Sequence, residues 1–224
     1  MKDNLVITID GPAGAGKSTV SKMLARHLSY AYLDTGALYR AIAYEVLKEG
    51  LSPADEKDIA TLCGRMDIRL VNAGRRFRVI VNGQDVTEMI RTEQIGLLAS
   101  KISALSVVRS ALFALQKKAG SQGGIVAEGR DMGTVVFPEA DYKFFLVASS
   151  AERARRRYEE LRSRGNSADF ESIRKDIISR DNQDRGRDIS PLVAAPDATV
   201  IDSTSMTIAA VVDRMLAIIR KTSD

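Results

Sequence analysis

The octapeptide Gly11-Pro12-Ala13-Gly14-Ala15-Gly16-Lys17-Ser18 decides the fold of this chain. It fits the pattern G-x-x-x-x-G-K-[ST], in which the backbone N–H groups of a glycine-rich loop surround the phosphates of a nucleoside triphosphate. The apolar residues 5–9 before it predict a buried parallel strand, and Val20, Leu24 and Leu28 follow at helical spacing. Strand, loop and helix therefore occur in the order that a phosphate site at a helix N-terminus needs.

The residues of the loop have individual roles in that pattern. Lys17 is expected to reach the β- and γ-phosphates of ATP, and the Ser18 hydroxyl is expected to ligate Mg²⁺. A glycine-rich turn that binds nothing is disfavoured by the flanking strand and helix. The predicted cofactors are therefore ATP and Mg²⁺, and the predicted ATP contacts are Gly11, Pro12, Ala13, Gly14, Ala15, Gly16, Lys17, Ser18 and Thr19.

Length and composition indicate one globular domain that carries insertions. The chain has 224 residues, of which 45% are hydrophobic and 28% are charged, so it can bury a core of ordinary size. No apolar run approaches the roughly 18 residues that cross a membrane, and no signal peptide is apparent. Cys63 is the single cysteine, which excludes an internal disulfide. We therefore expect a cytoplasmic protein without a membrane partner.

The chain is moderately basic, with a formal net charge of +4. A basic chain can indicate a nucleic-acid-binding protein. Here, however, the arginines concentrate in residues 153–187, where Asp and Glu residues are interleaved with them, and the chain contains no tryptophan for base stacking. A small polyanionic molecule accounts for this charge better, so no nucleic-acid partner is expected.

Five short apolar segments predict the strands of one sheet. They are residues 5–9, 30–33, 124–127, 143–147 and 198–201. Helical patterns separate these segments, which predicts a parallel sheet covered by helices on both faces. The last helix, predicted over residues 208–219, can have either Ser205 or Thr207 as its cap.

Two insertions interrupt this sheet pattern. Residues 34–123 are too long for a single crossover helix, so they predict an inserted subdomain. Its predicted elements are a helix over residues 36–47, a helix that Ser52 caps with Pro53 at its first position, a small antiparallel sheet over residues 66–86 with a turn at Asn82-Gly83, and a helix over residues 92–118.

The second insertion is rich in arginine. Ser149-Ser150-Ala151-Glu152 forms a capping box that opens an Arg-rich helix ending near Gly165, and a second helix is predicted over residues 170–184. Two charged helices with little apolar face predict a mobile lid over the phosphate loop. Because successive helical residues point about 100° apart, at least half of Arg153, Arg155, Arg156 and Arg157 are expected on a solvated face.

The layout of the chain favours a kinase over the other users of such a loop. The guanine-binding pattern N-K-x-D of GTPases is absent, as is the signature loop of transporter ATPases. Two insertions suit an enzyme that closes over two small substrates and excludes water. A kinase for another small acceptor, such as UMP or a non-nucleotide metabolite, remains an alternative. So does an ATPase or switch that acts on a protein or nucleic acid.

Three further stretches carry a specific resemblance. Leu33-Asp34-Thr35-Gly36-Ala37-Leu38-Tyr39-Arg40, the run Glu128 to Pro138 and the run Arg180 to Arg187 resemble signatures of the bacterial cytidylate kinase family. The resemblance implies an α/β fold of the P-loop NTPase type, with three layers, a five-stranded parallel sheet, an inserted NMP-binding subdomain that contains a small antiparallel sheet, and a helical lid. It divides the chain into a P-loop core (residues 1–34, 104–149 and 188–224), an NMP-binding insertion (35–103) and a lid (150–187).

The same resemblance implies an activity, namely MgATP-dependent phosphorylation of CMP and dCMP to CDP and dCDP by a monomer. Asp131 and Ser100 would meet the N4 amino group of cytosine, and Arg109 would meet N3 and O2. Uracil presents an O4 acceptor and an N3 donor instead, which would leave buried groups in such a site unpaired.

The phosphates need fixed cations, and guanidinium groups grip a phosphate through two parallel hydrogen bonds. Arg40 and Arg130 are the candidates for the acceptor phosphate, with a hydroxyl from Thr35. By resemblance, Arg180 and Arg187 would close on the phosphates, and Asp184 would accept from ribose hydroxyls. The predicted catalytic residues are Lys17, Arg130, Arg180 and Arg187, and the predicted substrate contacts are Thr35, Arg40, Ser100, Arg109, Arg130, Asp131, Arg180, Asp184 and Arg187.

One position departs from the family pattern. Glu128 stands where relatives usually have aspartate, and it would order a water on Mg²⁺ or hold the neighbouring arginine. The extra methylene argues against direct contact with the metal. No general base is expected, because phosphoryl transfer depends mainly on positioning and on charge stabilisation.

Overall fold

A computed structural model describes residues 4–74, 76–163, 165 and 167–221 of the chain. In chain order its elements are β1 (Val6–Asp10), α1 (Lys17–Leu28), β2 (Ala31–Asp34), α2 (Thr35–Lys48), α3 (Glu56–Arg65), β3 (Ile68–Asn72), β4 (Phe77–Val81), β5 (Gln84–Asp85), α4 (Glu93–Ile102), α5 (Ser106–Ala119), β6 (Ile125–Gly129), β7 (Tyr142–Val147), α6 (Ser150–Ser163), α7 (Phe170–Arg185), β8 (Thr199–Asp202) and α8 (Ile208–Lys221).

The main sheet is parallel, with strand order β2-β6-β1-β7-β8, and each predicted strand is present within two residues of its expected bounds. β1 lies in the middle, and Ile7 and Ile9 are completely buried. Helices α1 and α8 cover one face, while α2, α5 and a helical turn at Met132–Val136 cover the other. The predicted three-layer α/β fold is confirmed. Because all the strands run in one direction, their carboxyl ends meet at one edge, where ligands of such sheets bind.

The first insertion has a core of its own. Helices α2 to α5 pack around buried residues such as Leu38, Ile42 and Leu112. The predicted small sheet is present as β3-β4-β5, and Asn82 and Gly83 form the turn between β4 and β5 with φ of 48° and 83°. A single β-bridge between Tyr32 and Arg76 joins the edge of the main sheet to this insertion.

Two boundaries within this insertion are wrong in the sequence-based prediction. Ser52 does not cap α3, which begins at Glu56 after Asp55. Residues 52–55 form a separate turn, because the Asp55 carboxylate accepts a hydrogen bond from the Ser52 amide at 2.8 Å. The helix predicted over residues 92–118 is two helices, α4 and α5, which meet at 103°.

Side-chain caps mark the start of α6 and of α8. Ser149 accepts from the Glu152 amide at 3.2 Å, as a capping box requires. The Glu152 carboxylate, however, binds Arg155 and Arg156 instead of turning back to Ser149. Thr207, not Ser205, supplies the cap of α8, because its hydroxyl accepts from the Ala210 amide at 3.2 Å.

Among the helices that the structure describes, no single one is long and apolar enough to cross a bilayer. The bent pair α4 and α5 meets the criterion jointly, by length and composition only. Ile95 and Ile102 of α4 and Val108 and Leu112 of α5 are buried in the core of the insertion.

Candidate active site

The carboxyl ends of the parallel strands open into a cleft of about 1760 Å³ between the phosphate loop and the two insertions. Lys17 and Ser18 of the loop line it, as do all the predicted substrate contacts. Those contacts come from five separate parts of the chain, so the tertiary structure brings them to one surface. They are Thr35, Arg40, Ser100, Arg109, Arg130, Asp131, Arg180, Asp184 and Arg187.

The start of the phosphate loop is packed against the sheet. Gly11 has a φ of 144°, and a Cβ atom at this position would lie 2.0 Å from the carbonyl oxygen of Leu146. Only glycine fits there, so Gly11 allows the start of the loop to pack directly against the backbone of β7. Gly16, in the left-handed region with φ of 91°, is the cap of α1 and turns the chain into that helix.

Lys17 is buried and lies over its own loop. Its Nζ donates to the carbonyl oxygen of Pro12 at 2.8 Å. Burial and the nearby Arg130 lower the pKa of Lys17 to about 7, whereas Glu128 and Asp10 oppose that shift. The charged lysine is thus poorly solvated in the cleft, and a bound phosphate would supply a compensating negative charge.

Glu128, at the end of β6, lies between the phosphate loop and β2. The Tyr32 hydroxyl donates to its Oε1, and its Oε2 is buried without a hydrogen-bond partner among the described residues. Burial, followed by Asp34, raises the pKa of Glu128, and Lys17 opposes this rise. The Thr35 hydroxyl donates to the Glu128 carbonyl oxygen at 2.6 Å, so its proton is not directed at the cleft. The role of Thr35 as a donor to phosphate stays a prediction.

The residues available to a metal fit an ion that arrives with phosphate oxygens. No group of three His, Cys, Asp or Glu side chains suited to a metal ion occurs in the part of the chain that the structure describes. Mg²⁺ needs only one or two protein oxygens when phosphates complete its shell. The exposed Ser18 hydroxyl and the partnerless Oε2 of Glu128 fit such an ion, directly and through a water respectively.

Asp10 is a site residue that the sequence patterns did not reveal. It ends β1, and its carboxylate accepts from the amides of Met132 at 2.9 Å and Gly133 at 2.8 Å. These bonds fix the helical turn that directly follows Asp131. Burial is the largest cause that raises the pKa of Asp10 to about 6, and Asp131 adds to it. An acid directly after the predicted strand of residues 5–9, just before the loop, was the available signal.

The predicted base-binding residues Asp131 and Arg109 form an ion pair at the far wall of the cleft. Asp131 is only 2% exposed, so this carboxylate is oriented by its partner and not by solvent. The Arg109 guanidinium lies 5.6 Å from the ring centre of Tyr39, which supports it from one side. Ser100 lies on the same wall.

Several arginines converge on the middle of the cleft. Burial lowers the pKa of Arg40, and the nearby Arg91, Arg180 and Arg157 contribute to the same shift. Burial also lowers the pKa of Arg180, with contributions from Arg157 and Arg130. Clustered guanidinium groups that depress each other's pKa favour a polyanionic ligand.

Asp184 has two arginine partners that the sequence did not predict. Its two carboxylate oxygens accept from Arg130 at 2.8 Å and from Arg187, and the side chain is buried. Asp184 therefore orients two of the predicted catalytic arginines. Its contact with ribose hydroxyls stays a prediction.

The four arginines of α6 have separate environments, and the expectation that at least half of them are solvated is wrong. Only Arg155 is exposed, with a side chain 54% accessible. Arg153 is buried in a bidentate ion pair with Asp181, at 3.0 and 2.5 Å, and donates to the carbonyl oxygen of Ala13 in the phosphate loop. Arg156 donates to the Ala15 and Ser203 carbonyl oxygens, and Arg155, Arg156 and Arg157 all line the cleft. Helical spacing alone could not distinguish these partners.

The model of the cytidylate kinase family matches residues 7–221. The chain belongs to the cytidylate kinase family. It is similar to the cytidylate kinase of Geobacter sp. (strain M21), at 49% identity over 214 residues that cover 96% of this chain and 92% of that protein. It is also 45% identical to the cytidylate kinase of Bacillus subtilis (strain 168) over 223 residues, which cover 100% of both chains.

Membership of the cytidylate kinase family confirms the enzyme class predicted from the signatures, a phosphotransferase with a phosphate group as acceptor. The similar solved structures support the fold of the chain but not its activity. The chain is similar to a gluconokinase from Sinorhizobium meliloti 1021, with a TM-score of 0.50, 15% identity, and coverage of 97% of this chain and 92% of that one. An uncharacterized protein from Eubacterium ventriosum ATCC 27560 has a TM-score of 0.53 at 12% identity, covering 96% and 98% of the two chains.

Proposed function

We propose that this cytidylate kinase family member transfers the γ-phosphoryl group of ATP to CMP and dCMP, with Mg²⁺ as the metal. The observation that carries the proposal is the buried Asp131–Arg109 pair in the same cleft as the phosphate loop, with a cluster of arginines between them. This arrangement offers a base-binding pocket, an acceptor-phosphate site and a donor-phosphate site side by side in one cleft.

The donor ATP would lie along residues 11–19. The N–H groups at the start of α1 and the Lys17 ammonium would bind its phosphates, and Ser18 would contribute one oxygen to Mg²⁺. When bound, Mg²⁺ supplies charge neutralisation at the β- and γ-phosphates. Glu128 orders this side of the cleft through Tyr32 and Thr35.

The acceptor base would lie against Asp131, Arg109 and Ser100. A carboxylate accepts from the N4 amino group of cytosine, and a guanidinium donates to N3 and O2. Uracil would place its O4 against the Asp131 carboxylate, which leaves two acceptors facing each other in a buried site. The pocket therefore favours cytosine over uracil.

The ribose has a looser fit than the base. Asp184 already accepts from Arg130 and Arg187, so these bonds do not depend on a sugar hydroxyl. A pocket whose buried groups are satisfied in this way tolerates the absence of a 2′-hydroxyl. This supports the use of dCMP as well as CMP.

Transfer itself would depend on positioning and on charge. Arg130 and Arg40 would hold the acceptor phosphate, while Arg180, Arg187 and Lys17 would stabilise the phosphoryl group in transit. We propose that residues 35–103 and 150–187 close as the acceptor-binding insertion and the lid on a core formed by 1–34, 104–149 and 188–224, which would exclude water.

The wider setting of the enzyme is also a proposal. We infer a cytoplasmic monomer that acts in pyrimidine nucleotide metabolism, with small-molecule partners and neither nucleic acid nor membrane among them. A kinase for UMP or a non-nucleotide metabolite, and an ATPase or switch that acts on a macromolecule, are the competing functions.

The test is ADP production from MgATP with CMP, dCMP, UMP, AMP and GMP offered separately. We expect strong turnover with CMP and dCMP, with UMP slower by several powers of ten. Equal rates with CMP and UMP would retain phosphoryl transfer and reject the base-binding role of Asp131. ATP hydrolysis that no nucleoside monophosphate stimulates would favour the ATPase or switch.

A further inference from the structure

The break between α4 and α5 contains a small hydrogen-bonded centre that the proposed catalytic cycle does not use. Ser103, which is 7% exposed, donates from its hydroxyl to the Ser100 carbonyl oxygen at 2.8 Å. The same hydroxyl accepts from Nη2 of Arg187 at 2.9 Å. The Ser103 carbonyl oxygen accepts from Nη1 of Arg109 at 3.1 Å. One serine thus contacts both a lid arginine and a base-binding arginine.

A second contact joins the same two parts of the molecule. Nε2 of Gln183, in α7 of the lid, donates to the Ser100 carbonyl oxygen at 3.0 Å. Gln183 and Arg187 flank the end of α7, whereas Ser100 and Ser103 form the end of α4. Two hydrogen bonds to the last turn of α4 therefore join the lid to the acceptor-binding wall.

The chemistry of a helix end accounts for these contacts. The last carbonyl groups of a helix have no donors within the helix and carry partial negative charge. At the end of α4, the Ser100 carbonyl oxygen accepts from Gln183 and from the Ser103 hydroxyl, and the Ser103 carbonyl oxygen accepts from Arg109. Ser103 uses its single hydroxyl proton and an acceptor lone pair at once, so the position of Arg187 is tied to that of Ser100.

We propose that Ser103 is a positioning residue that holds Arg187 beside the acceptor pocket and, with Gln183, links the lid to the base-binding wall. The inference rests on the proposed function, because it assumes that CMP occupies the pocket formed by Ser100 and Arg109. Binding of CMP would then favour the lid position in which Arg187 faces the phosphates, and loss of Ser103 would weaken this link.

The test compares Ser103→Ala with Ser103→Thr, which restores the hydroxyl, and with Ser110→Ala, an exposed serine on α5, as the matched control. Loss of one hydrogen bond to a charged group, with Asp184 still holding Arg187, is expected to raise KM for CMP about five- to tenfold. KM for ATP should stay within about twofold, since Ser103 does not contact the phosphate loop. Ser103→Thr should restore KM for CMP to within about twofold of the parent value.

A second measurement is independent of turnover. In the parent, CMP should slow the amide hydrogen exchange of residues 176–187, and Ser103→Ala should lose most of that protection while Ser110→Ala keeps it. Equal KM values for CMP in the parent and Ser103→Ala, or equal KM values in Ser103→Ala and Ser103→Thr, would overturn the inference. Absence of CMP turnover in the parent would instead refute the proposed function.

Discussion

Replacement of Lys17 by methionine should abolish phosphoryl transfer and at the same time stabilise the ligand-free fold. The side chain is 7% exposed, and its pKa is lowered from 10.5 to about 7, mainly by burial. A pKa lowered to this extent corresponds to roughly 5 kcal/mol of unfavourable free energy for the charged lysine. Methionine fills a similar volume without a charge, so its introduction removes that cost.

The net gain is smaller than that cost, because Lys17 also offsets the burial of two carboxylates. Glu128 and Asp10 would lose a nearby cation, and removal of one member of a buried charge cluster destabilises the rest. We therefore expect a net increase in the free energy of unfolding on the order of 2 kcal/mol, which corresponds to a rise in Tm of about 4–8 °C for a chain of this size.

The dependence on pH gives the sign of the effect. Between pH 7 and 10 the unfolded chain binds the Lys17 proton more tightly than the folded chain does, so the free energy of unfolding of the parent rises with pH in that window. The methionine variant lacks this contribution. Its advantage over the parent is therefore complete below pH 7 and shrinks as the pH approaches 10.

The assay is thermal unfolding of ligand-free protein at pH 6, 7, 8 and 9, with Lys57→Met, at an exposed lysine of α3, as the matched control. Lys57→Met should change the free energy of unfolding by less than about 0.5 kcal/mol. A Tm of Lys17→Met at or below the parent value at pH 7, or an advantage that does not shrink with pH, would refute the reasoning. Turnover within tenfold of the parent would refute the donor role of Lys17.

Two further predictions concern recognition of the two substrates. Asp131→Asn should lower the ratio of kcat/KM for CMP to kcat/KM for UMP by at least about tenfold, because the amide can donate to O4 of uracil. The control Asp213→Asn, at an exposed position of α8, should leave that ratio unchanged, and an unaltered ratio in Asp131→Asn would contradict the base-binding role. Arg157→Met, which removes a cation at the cleft, should lower kcat/KM for ATP about tenfold. Arg162→Met, at an exposed position of the same helix that does not line the cleft, should change it less than about twofold, and equal losses in both variants would show that only overall charge matters.

The main sheet could be predicted from the sequence because its strands are buried on both faces. Such strands are continuous apolar runs, and a run like Leu5-Val6-Ile7-Thr8-Ile9 is visible without knowledge of its neighbours. The phosphate loop is equally local, since its geometry depends on glycines and on the helix that follows. The small sheet of the insertion was also predictable, because the period changes near Ile68 and an Asn-Gly turn follows at Asn82.

Element boundaries that depend on distant donors were not predictable. Between Ile102 and Ser106 no proline or glycine marks the break at Ser103. That break is held by Arg187, which is 84 residues away along the chain. The late start of α3 has a local cause, but Asp55 had two plausible uses, as a cap of the helix or as the closing residue of a turn.

For the site, short motifs alone predicted a phosphate loop, and the resemblance to a family predicted the residues for a pyrimidine base. The roles of the individual arginines were decided only by the tertiary structure. Arg153 is neutralised by Asp181, Arg155 is exposed and pairs with Glu152 and Glu159, and Arg156 donates to the Ala15 carbonyl oxygen of the phosphate loop. Burial and partner choice set the charge that each guanidinium can offer to a phosphate, and both are properties of the folded chain.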